Sequence, residues 1–176
     1  MRIIAGKHKG RVLHAPKNLP VRPTTDKAKE ALFNILENQY DFSSLKILDL
    51  FSGTGNITYE FLSRGAADVT AVDINYNCCT YIKQQAEKLD FKVTVTKNEI
   101  FKFIVGCENK YDLIFADPPY DFKKINQLPE QIFQNDLLNK SGLLIIEHSN
   151  KINLDLFENF KEKRKYGQSA FSFFHA

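Results

Sequence analysis

Three cysteines in 176 residues are too few and too poorly spaced for a disulfide framework or a structural zinc site. Cys78 and Cys79 are adjacent, Cys107 stands apart, there is no CxxC pair, and no histidine is spaced to complete a tetrahedral set. Reduced, packed thiols and no metal are therefore expected. Long apolar runs are missing too. Nowhere do about eighteen apolar residues follow one another, and Met1-Arg2-Ile3-Ile4-Ala5-Gly6-Lys7 lacks the hydrophobic segment of a signal peptide. The expectation is a soluble, cytoplasmic protein with no membrane partner. Internal repeats and low-complexity stretches are also absent. A chain of this length buries roughly 70% of its unfolded surface, enough for one core without covalent staples. Residues 1–176 are expected to form a single domain, with 1–44 an N-terminal extension and 45–176 the main body.

Charge is present but unevenly placed. Residues 1–30 hold Arg2, Lys7, Lys9, Arg11, Lys17, Arg22, Lys27 and Lys29 against Asp26 and Glu30, a net +6, so the remainder carries −3 of the overall +3. A basic arm on a slightly acidic body is either the footprint of a polyanion binder, which gains by releasing counterions from phosphates, or a solvated face that aids solubility.

Two short runs, Arg2 to Ala5 and Arg11 to Ala15, flank the Gly6 to Gly10 turn and read as a hairpin with basic side chains outward, ended by Pro16 and Pro20. Thr24-Thr25-Asp26 then caps a helix over Lys27 to Leu36, with Ala28, Ala31, Leu32, Ile35 and Leu36 on one side. From Lys46 the pattern alternates. Strands are expected at Ile47–Leu50, Val69–Asp73, Val93–Thr96, Asp112–Ala116 and Leu143–Glu147, and helices at Asn56–Arg64, Asn75–Leu89, Ile100–Cys107 and Ile125–Gln134, the last interrupted by Pro129. Such alternation means right-handed crossovers and an α/β, Rossmann-like, mostly parallel sheet. Phe160 to Tyr166 and Ala170 to His175, separated by Gly167-Gln168, read as a closing antiparallel hairpin, giving seven strands in all.

Asp49-Leu50-Phe51-Ser52-Gly53-Thr54-Gly55 ends the first strand and opens a helix, where a doubly wound sheet binds its nucleotide. A third glycine or alanine is missing, since Thr58 occupies its place, and no P-loop lysine follows, so NAD and ATP are disfavoured. S-adenosylmethionine (AdoMet) has no phosphate to cradle. It needs backbone access at the Ser52 to Gly55 loop and a carboxylate after the next strand for its ribose hydroxyls. Asp73, eighteen residues after Gly55, is in that position, with Ile74 beside it. Asp49 either orients the cofactor or caps the loop's amides. Asn98 and Glu99 either meet the adenine edge or cap the helix that follows.

Asp117-Pro118-Pro119-Tyr120 follows the run Tyr111 to Ala116. It is either a plain strand-ending turn or a device for methylating an amine. An exocyclic base amine is a poor nucleophile because its lone pair is delocalised. Acceptors aimed at its N–H bonds favour rehybridisation as charge develops; Asp117 supplies a carboxylate, and the prolines fix the Pro118 carbonyl as a second acceptor. Tyr120 offers a face on which a flipped base stacks. Methylation at pyrimidine carbon calls for a cysteine nucleophile, commonly beside proline, and no cysteine here has that setting.

With both motifs in place the chain resembles the bacterial 16S ribosomal RNA guanine-N2 methyltransferase family. The resemblance runs from Arg2-Ile3-Ile4-Ala5-Gly6 and Gly10-Arg11 through Arg22-Pro23-Thr24-Thr25-Asp26, the two motifs above, and Glu147-His148-Ser149. It implies N2-methylation of one guanine in small-subunit rRNA, with AdoMet as methyl donor and substrate presented in a partly or fully assembled subunit. Arg2, Lys7, Lys9, Arg11, Arg22, Thr24, Thr25 and Lys27 would grip RNA, and the enzyme would act as a monomer. Two departures stand out. Lys27 sits where the family usually has Arg, which removes a bidentate phosphate fork, and Glu99 replaces the more usual Asp or Asn. Competing readings are a DNA amino-methyltransferase, for whose target-recognition region the chain leaves no room, and a protein-glutamine methyltransferase, whose turn begins with Asn. A non-catalytic RNA-binding assembly module is the third.

Overall fold

Alternating apolar and amphipathic runs resolve, in a computed structural model that describes residues 1–16, 19 and 24–176, into one seven-stranded sheet with helices on both faces. The elements in chain order are α1 (Asp26–Glu37), β1 (Lys46–Leu50), α2 (Asn56–Ser63), β2 (Asp68–Asp73), α3 (Tyr76–Lys88), β3 (Thr94–Lys97) and α4 (Ile100–Gly106). They continue with β4 (Tyr111–Ala116), α5 (Gln127–Gln134), β5 (Leu138–Ser149), β6 (Phe160–Tyr166) and β7 (Ser169–His175). The strand order is β3-β2-β1-β4-β5-β7-β6. β1 pairs parallel to β2 and β4, β2 to β3, and β4 to β5, while β7 runs antiparallel to both β5 and β6. The order reverses between β1 and β4, so the carboxyl ends of those strands open the crevice in which open α/β sheets take ligands.

Strand alternation sorts the core into two layers. Ile47, Leu113, Phe115, Leu143 and Ile145 pack with Leu32, Phe33, Leu36 and Phe61 from α1 and α2. Leu48, Leu50, Ile114, Leu144 and Ile146 pack with Ile104, Leu128 and Ile132 from α4 and α5.

Three details depart from expectation. Pro129 does not interrupt α5. It stands in the first turn, where a backbone N–H has no intrahelical partner to lose. β5 begins at Leu138, five residues earlier than expected, because a register shift beside Tyr111 and Leu113 accommodates Ser141, whose φ of 64° lies in the left-handed region, and breaks the apolar alternation. The N-terminal hairpin is real but short. It has one antiparallel bridge, Arg2 to Val12, and backbone bonds from Ile3 N–H to Arg11 O and from Leu13 N–H to Met1 O.

That hairpin is seated on α2 by buried charge. The two Glu60 oxygens accept the Ile4 and Ala5 N–H groups at 2.9 and 3.0 Å, and the same carboxylate meets Lys29 Nζ at 3.2 Å and Arg64 Nε at 2.8 Å. Lys29 and Glu60 are both 0% exposed. Burial lowers the Lys29 pKa and Glu60 pushes it back up. Lys29 therefore does not belong to the exposed cationic face of the arm; it holds the arm down. Gly6 adds a steric lock: at φ +79° its backbone lies so close to α2 that a Cβ would sit 1.8 Å from the Ser63 carbonyl oxygen.

Candidate active site

At the carboxyl ends of β1, β2, β4 and β5 lies a cavity of about 630 Å³. The glycine loop reaches it directly from β1. Phe51 takes a left-handed φ of 57°, and Ser52 N–H donates to the Val72 carbonyl, which ties the loop to β2. Asp73 at the end of β2 accepts the Gly53 N–H on Oδ2 and the Asn75 N–H on Oδ1, both at 2.8 Å. Asp73, rather than Asp49, thus caps the loop. A carboxylate offers about four acceptor positions, so two bonds leave it capacity for a ligand hydroxyl.

Asp49 is 1% exposed and accepts the Thr58 hydroxyl at 2.5 Å. Thr58 stands where a dinucleotide site has its third small residue, and here it holds the carboxylate. Burial, with a smaller push from Asp73, raises the Asp49 pKa to about 7. Ser52, Gly53, Ile74 and Glu99 also line the cavity. The buried Ser52 Oγ finds no hydrogen-bond partner among the described residues, and Ile74 remains 62% exposed. Glu99 caps α4 by accepting the Lys102 N–H at 2.9 Å. Neither Asn98 nor Gly55 belongs to the lining. Asn98 donates its N–H to the Asp73 carbonyl, and Gly55 sits where φ is +82° and a Cβ would come within 2.9 Å of the Tyr59 ring. Its left-handed φ and the Tyr59 ring both demand glycine at position 55.

Asp117, Pro118, Pro119 and Tyr120 all face the same cavity. The Asp117 N–H donates to the Leu50 carbonyl at 3.3 Å, extending the β1–β4 pairing by one residue. Phe122 folds the turn back, its N–H on the Pro119 carbonyl and its ring against Phe51 and Phe101. The Tyr120 hydroxyl is pinned to Ser169 Oγ at 2.8 Å while the ring stays partly open to solvent.

Thr24 and Thr25 complete the wall. Thr24 is buried; its hydroxyl donates to Glu147 Oε2 at 2.7 Å, and its carbonyl accepts from Asn56 Nδ2 at 3.1 Å. Asn56 Oδ1 in turn accepts from Lys29 Nζ at 2.8 Å, so the arm's seat and the cavity wall are one connected network. Arg2, Lys7, Lys9, Arg11 and Lys27 are exposed and lie outside the lining; Arg22 and Pro20 fall outside the described residues.

Sequence reasoning missed Glu147, Ser169, Thr58 and Lys29 as working residues. Glu147 had a signal, an acid ending the apolar run Leu143 to Ile146, and so did Lys29, which shares the helical stripe of Leu32, Phe33 and Leu36. Ser169 had none, since only the β5–β7 pairing brings it to the cavity.

A family model described as conserved hypothetical protein 95 matches residues 1–175. The chain is 33% identical over 159 residues to the putative rRNA methyltransferase YlbH of Bacillus subtilis strain 168, covering 88% of this chain and 85% of that one. It is 30% identical over 154 residues to ribosomal RNA small subunit methyltransferase D of Buchnera aphidicola subsp. Baizongia pistaciae, covering 87% and 78%. The solved structure of the putative methyltransferase yhhF from Escherichia coli superposes with a TM-score of 0.85 at 25% identity, covering 99% of this chain and 97% of that one. With a match over nearly its whole length, the protein belongs to the family described as conserved hypothetical protein 95.

Proposed function

We propose that this protein transfers a methyl group from AdoMet to the N2 amine of a guanine in small-subunit ribosomal RNA. One observation carries the reading: the Asp117-Pro118-Pro119-Tyr120 turn and the Gly53/Asp73 loop share a single cavity at the switch point of the sheet. The residues present fit the cofactor. Asp73 retains acceptor capacity for ribose hydroxyls, Ser52 offers a hydroxyl with no partner among the described residues, and Ile74 an exposed apolar side chain; Glu99 is the adenine-side candidate in the wall. AdoMet, when bound, supplies a methyl carbon on a positively charged sulfur.

The chain's own task is then alignment and acceptance of N–H bonds. Asp117 and the Pro118 carbonyl take the two N–H groups of the amine as nitrogen donates its pair to the methyl carbon. The proton that the amine gives up would leave to solvent by way of the Asp117 carboxylate, and the bound donor would keep the electron pair of its carbon–sulfur bond as a neutral thioether. Orientation of this kind is worth about 7 to 11 kcal/mol in well-aligned intramolecular reactions. The Tyr120 ring, held by Ser169, is the stacking face for the base. Arg2, Lys7, Lys9, Arg11 and Lys27, exposed on the arm and the start of α1, serve phosphate contacts, joined by Arg22 and by Thr25 at the cavity mouth. Among the described residues no helix is long and apolar enough to cross a membrane; the reading places the enzyme in the cytoplasm, acting as a monomer on the small subunit.

The test is transfer of labelled methyl from AdoMet to small subunits from a strain lacking this gene, with the product nucleoside identified by mass spectrometry. N2-methylguanosine at one position is the expected result. Label on DNA or protein, with none on subunits, would overturn the proposal.

A further inference from the structure

Asp117 is not the sole carboxylate beside the expected amine. Ala116 on β4 pairs with Ile146 on β5, so Asp117 and Glu147 are the next residues of two neighbouring parallel strands, with backbones about 4.8 Å apart. Both continue the face of Leu113, Phe115, Leu143 and Ile145, and both line the cavity. Glu147 is 4% exposed, and Thr24 Oγ1 donates to its Oε2 at 2.7 Å. That hydroxyl is itself fixed, because the Thr24 carbonyl is held by Asn56 and Asn56 by Lys29. The result is an oriented carboxylate, one strand spacing from the residue that accepts the amine.

Two adjacent acceptors suit a ligand edge with two adjacent donors. Guanine presents its exocyclic amine beside a ring N–H, whereas adenine and cytosine present their amines beside a ring nitrogen with a lone pair. A carboxylate facing such a lone pair is repulsive, so the second acid rejects those bases as well as favouring guanine. Since a carboxylate accepts several hydrogen bonds, Thr24 and a substrate N–H are served together.

We propose that Glu147 is the specificity-determining residue of this site, reading the ring N–H next to the target amine and thereby selecting a guanine-type edge. The inference rests on the methyl-transfer reading above. Thr24 is a positioning residue that acts through Glu147.

The experiment compares subunits reconstituted with guanine or with 2-aminopurine at the modified position. 2-Aminopurine keeps the amine but carries a lone pair in place of the ring N–H. Wild-type enzyme is expected to prefer guanine by about 10- to 100-fold in kcat/KM, the worth of one charge-assisted hydrogen bond. In Glu147→Gln the amide can turn its NH2 toward the lone pair, so the preference falls to near unity or inverts while AdoMet affinity by calorimetry stays as in wild type. Thr24→Val is expected to erode the preference with the AdoMet KM unchanged. Equal use of the two bases by wild-type enzyme, which needs no variant, would overturn the inference, as would a wild-type preference in Glu147→Gln. If wild-type enzyme labels neither substrate, the methyl-transfer reading itself fails, an outcome distinct from a changed ratio.

Discussion

The wall that carries the glycine loop is made within one stretch, from Asp49 to Glu99, whereas the opposite wall gathers Thr24, Asp117, Tyr120, Glu147 and Ser169 from separate parts of the chain. In the first, each acid is tied by a neighbour close in sequence: Asp73 by Asn75 and Gly53, Asp49 by Thr58. In the second the ties span 123 residues between Thr24 and Glu147 and 49 between Tyr120 and Ser169. The wall proposed for the cofactor is thus a local strand–loop–strand product that forms with β1 and β2. The wall proposed for the substrate exists only once β7 has paired with β5 and the arm has docked on α2. Damage to the two walls should therefore be separable.

The largest effect is expected at Asp117→Ala. Losing the proposed acceptor for the amine should lower kcat by about 1,000-fold, at the upper end of what removal of one preorganised transition-state contact costs. AdoMet affinity measured by calorimetry should stay within about twofold of wild type. A collapse of both together would dissolve the division between the walls.

Next in size is Lys29→Met, which attacks the substrate wall from outside the cavity. It leaves Glu60 buried with one cation fewer and releases Asn56 and the Arg2 carbonyl. Breaking a buried pair costs about 3 to 5 kcal/mol; with Arg64 still on Glu60, about 3 kcal/mol is expected, or roughly 10 °C in Tm for a chain of this size. Below the melting range, methyl transfer should suffer more than AdoMet affinity, and amide exchange should accelerate at Ile4 and Ala5. An AdoMet affinity that fell in step with activity would show the walls to be one mechanical unit.

This contrast also explains what could be read from sequence. The glycine loop, Asp73 and Asp117 were legible because strand ends, turn residues and short spacings are local signals, and the alternation from Lys46 onward fixed seven strands for the same reason. Spacing leaves both Asn98 and Glu99 open as adenine contacts or helix caps, and only Glu99 lines the cavity; adjacent residues leaving a strand point apart, and spacing alone does not say which turns inward. For Gly55, which spacing presents only as room for a ligand, the structure adds a packing reason, the Tyr59 ring one turn along α2. Lys29 was counted as surface charge because composition carries no depth, although its helical stripe placed it beside Leu32 and Leu36. Ser169 needed the β5–β7 register, a pairing no local pattern reports, and Glu147, although signalled as an acid ending an apolar run, gains its place beside Asp117 only through the β4–β5 register.

Asp73→Ala turns the comparison around. It removes the acceptor of Gly53 and Asn75 and the proposed ribose contact, so AdoMet binding should weaken by about 30-fold, near 2 kcal/mol. The Thr24–Glu147 and Tyr120–Ser169 ties should persist, with kcat at saturating AdoMet reduced far less than kcat/KM. Unchanged AdoMet affinity would remove Asp73 from the cofactor wall.

At Asp49 it is the sign of the effect rather than its size that distinguishes a carboxylate kept for function from one kept for stability. Burial raises its folded pKa to about 7 from the ordinary aspartate value of 3.8. Below pH 3.8 both states hold the proton and the group is neutral to stability. Between pH 4 and 7 the unfolded chain ionises while the folded one stays protonated, so folding is penalised increasingly as pH rises; above 7 the penalty is constant. The steepest dependence from one such group is about 1.4 kcal/mol per pH unit. Asn in its place can still accept the Thr58 hydroxyl but does not titrate. Asp49→Asn should therefore match wild type in stability near pH 4 and exceed it increasingly up to pH 7, with a flat difference beyond, as followed by denaturant melts across that range. A gain at neutral pH accompanied by weaker AdoMet binding would mean that the cofactor wall carries a buried charge at the expense of the fold. A stability difference that did not change with pH would place the Asp49 proton outside the folding equilibrium and leave the Thr58 bond as its whole contribution.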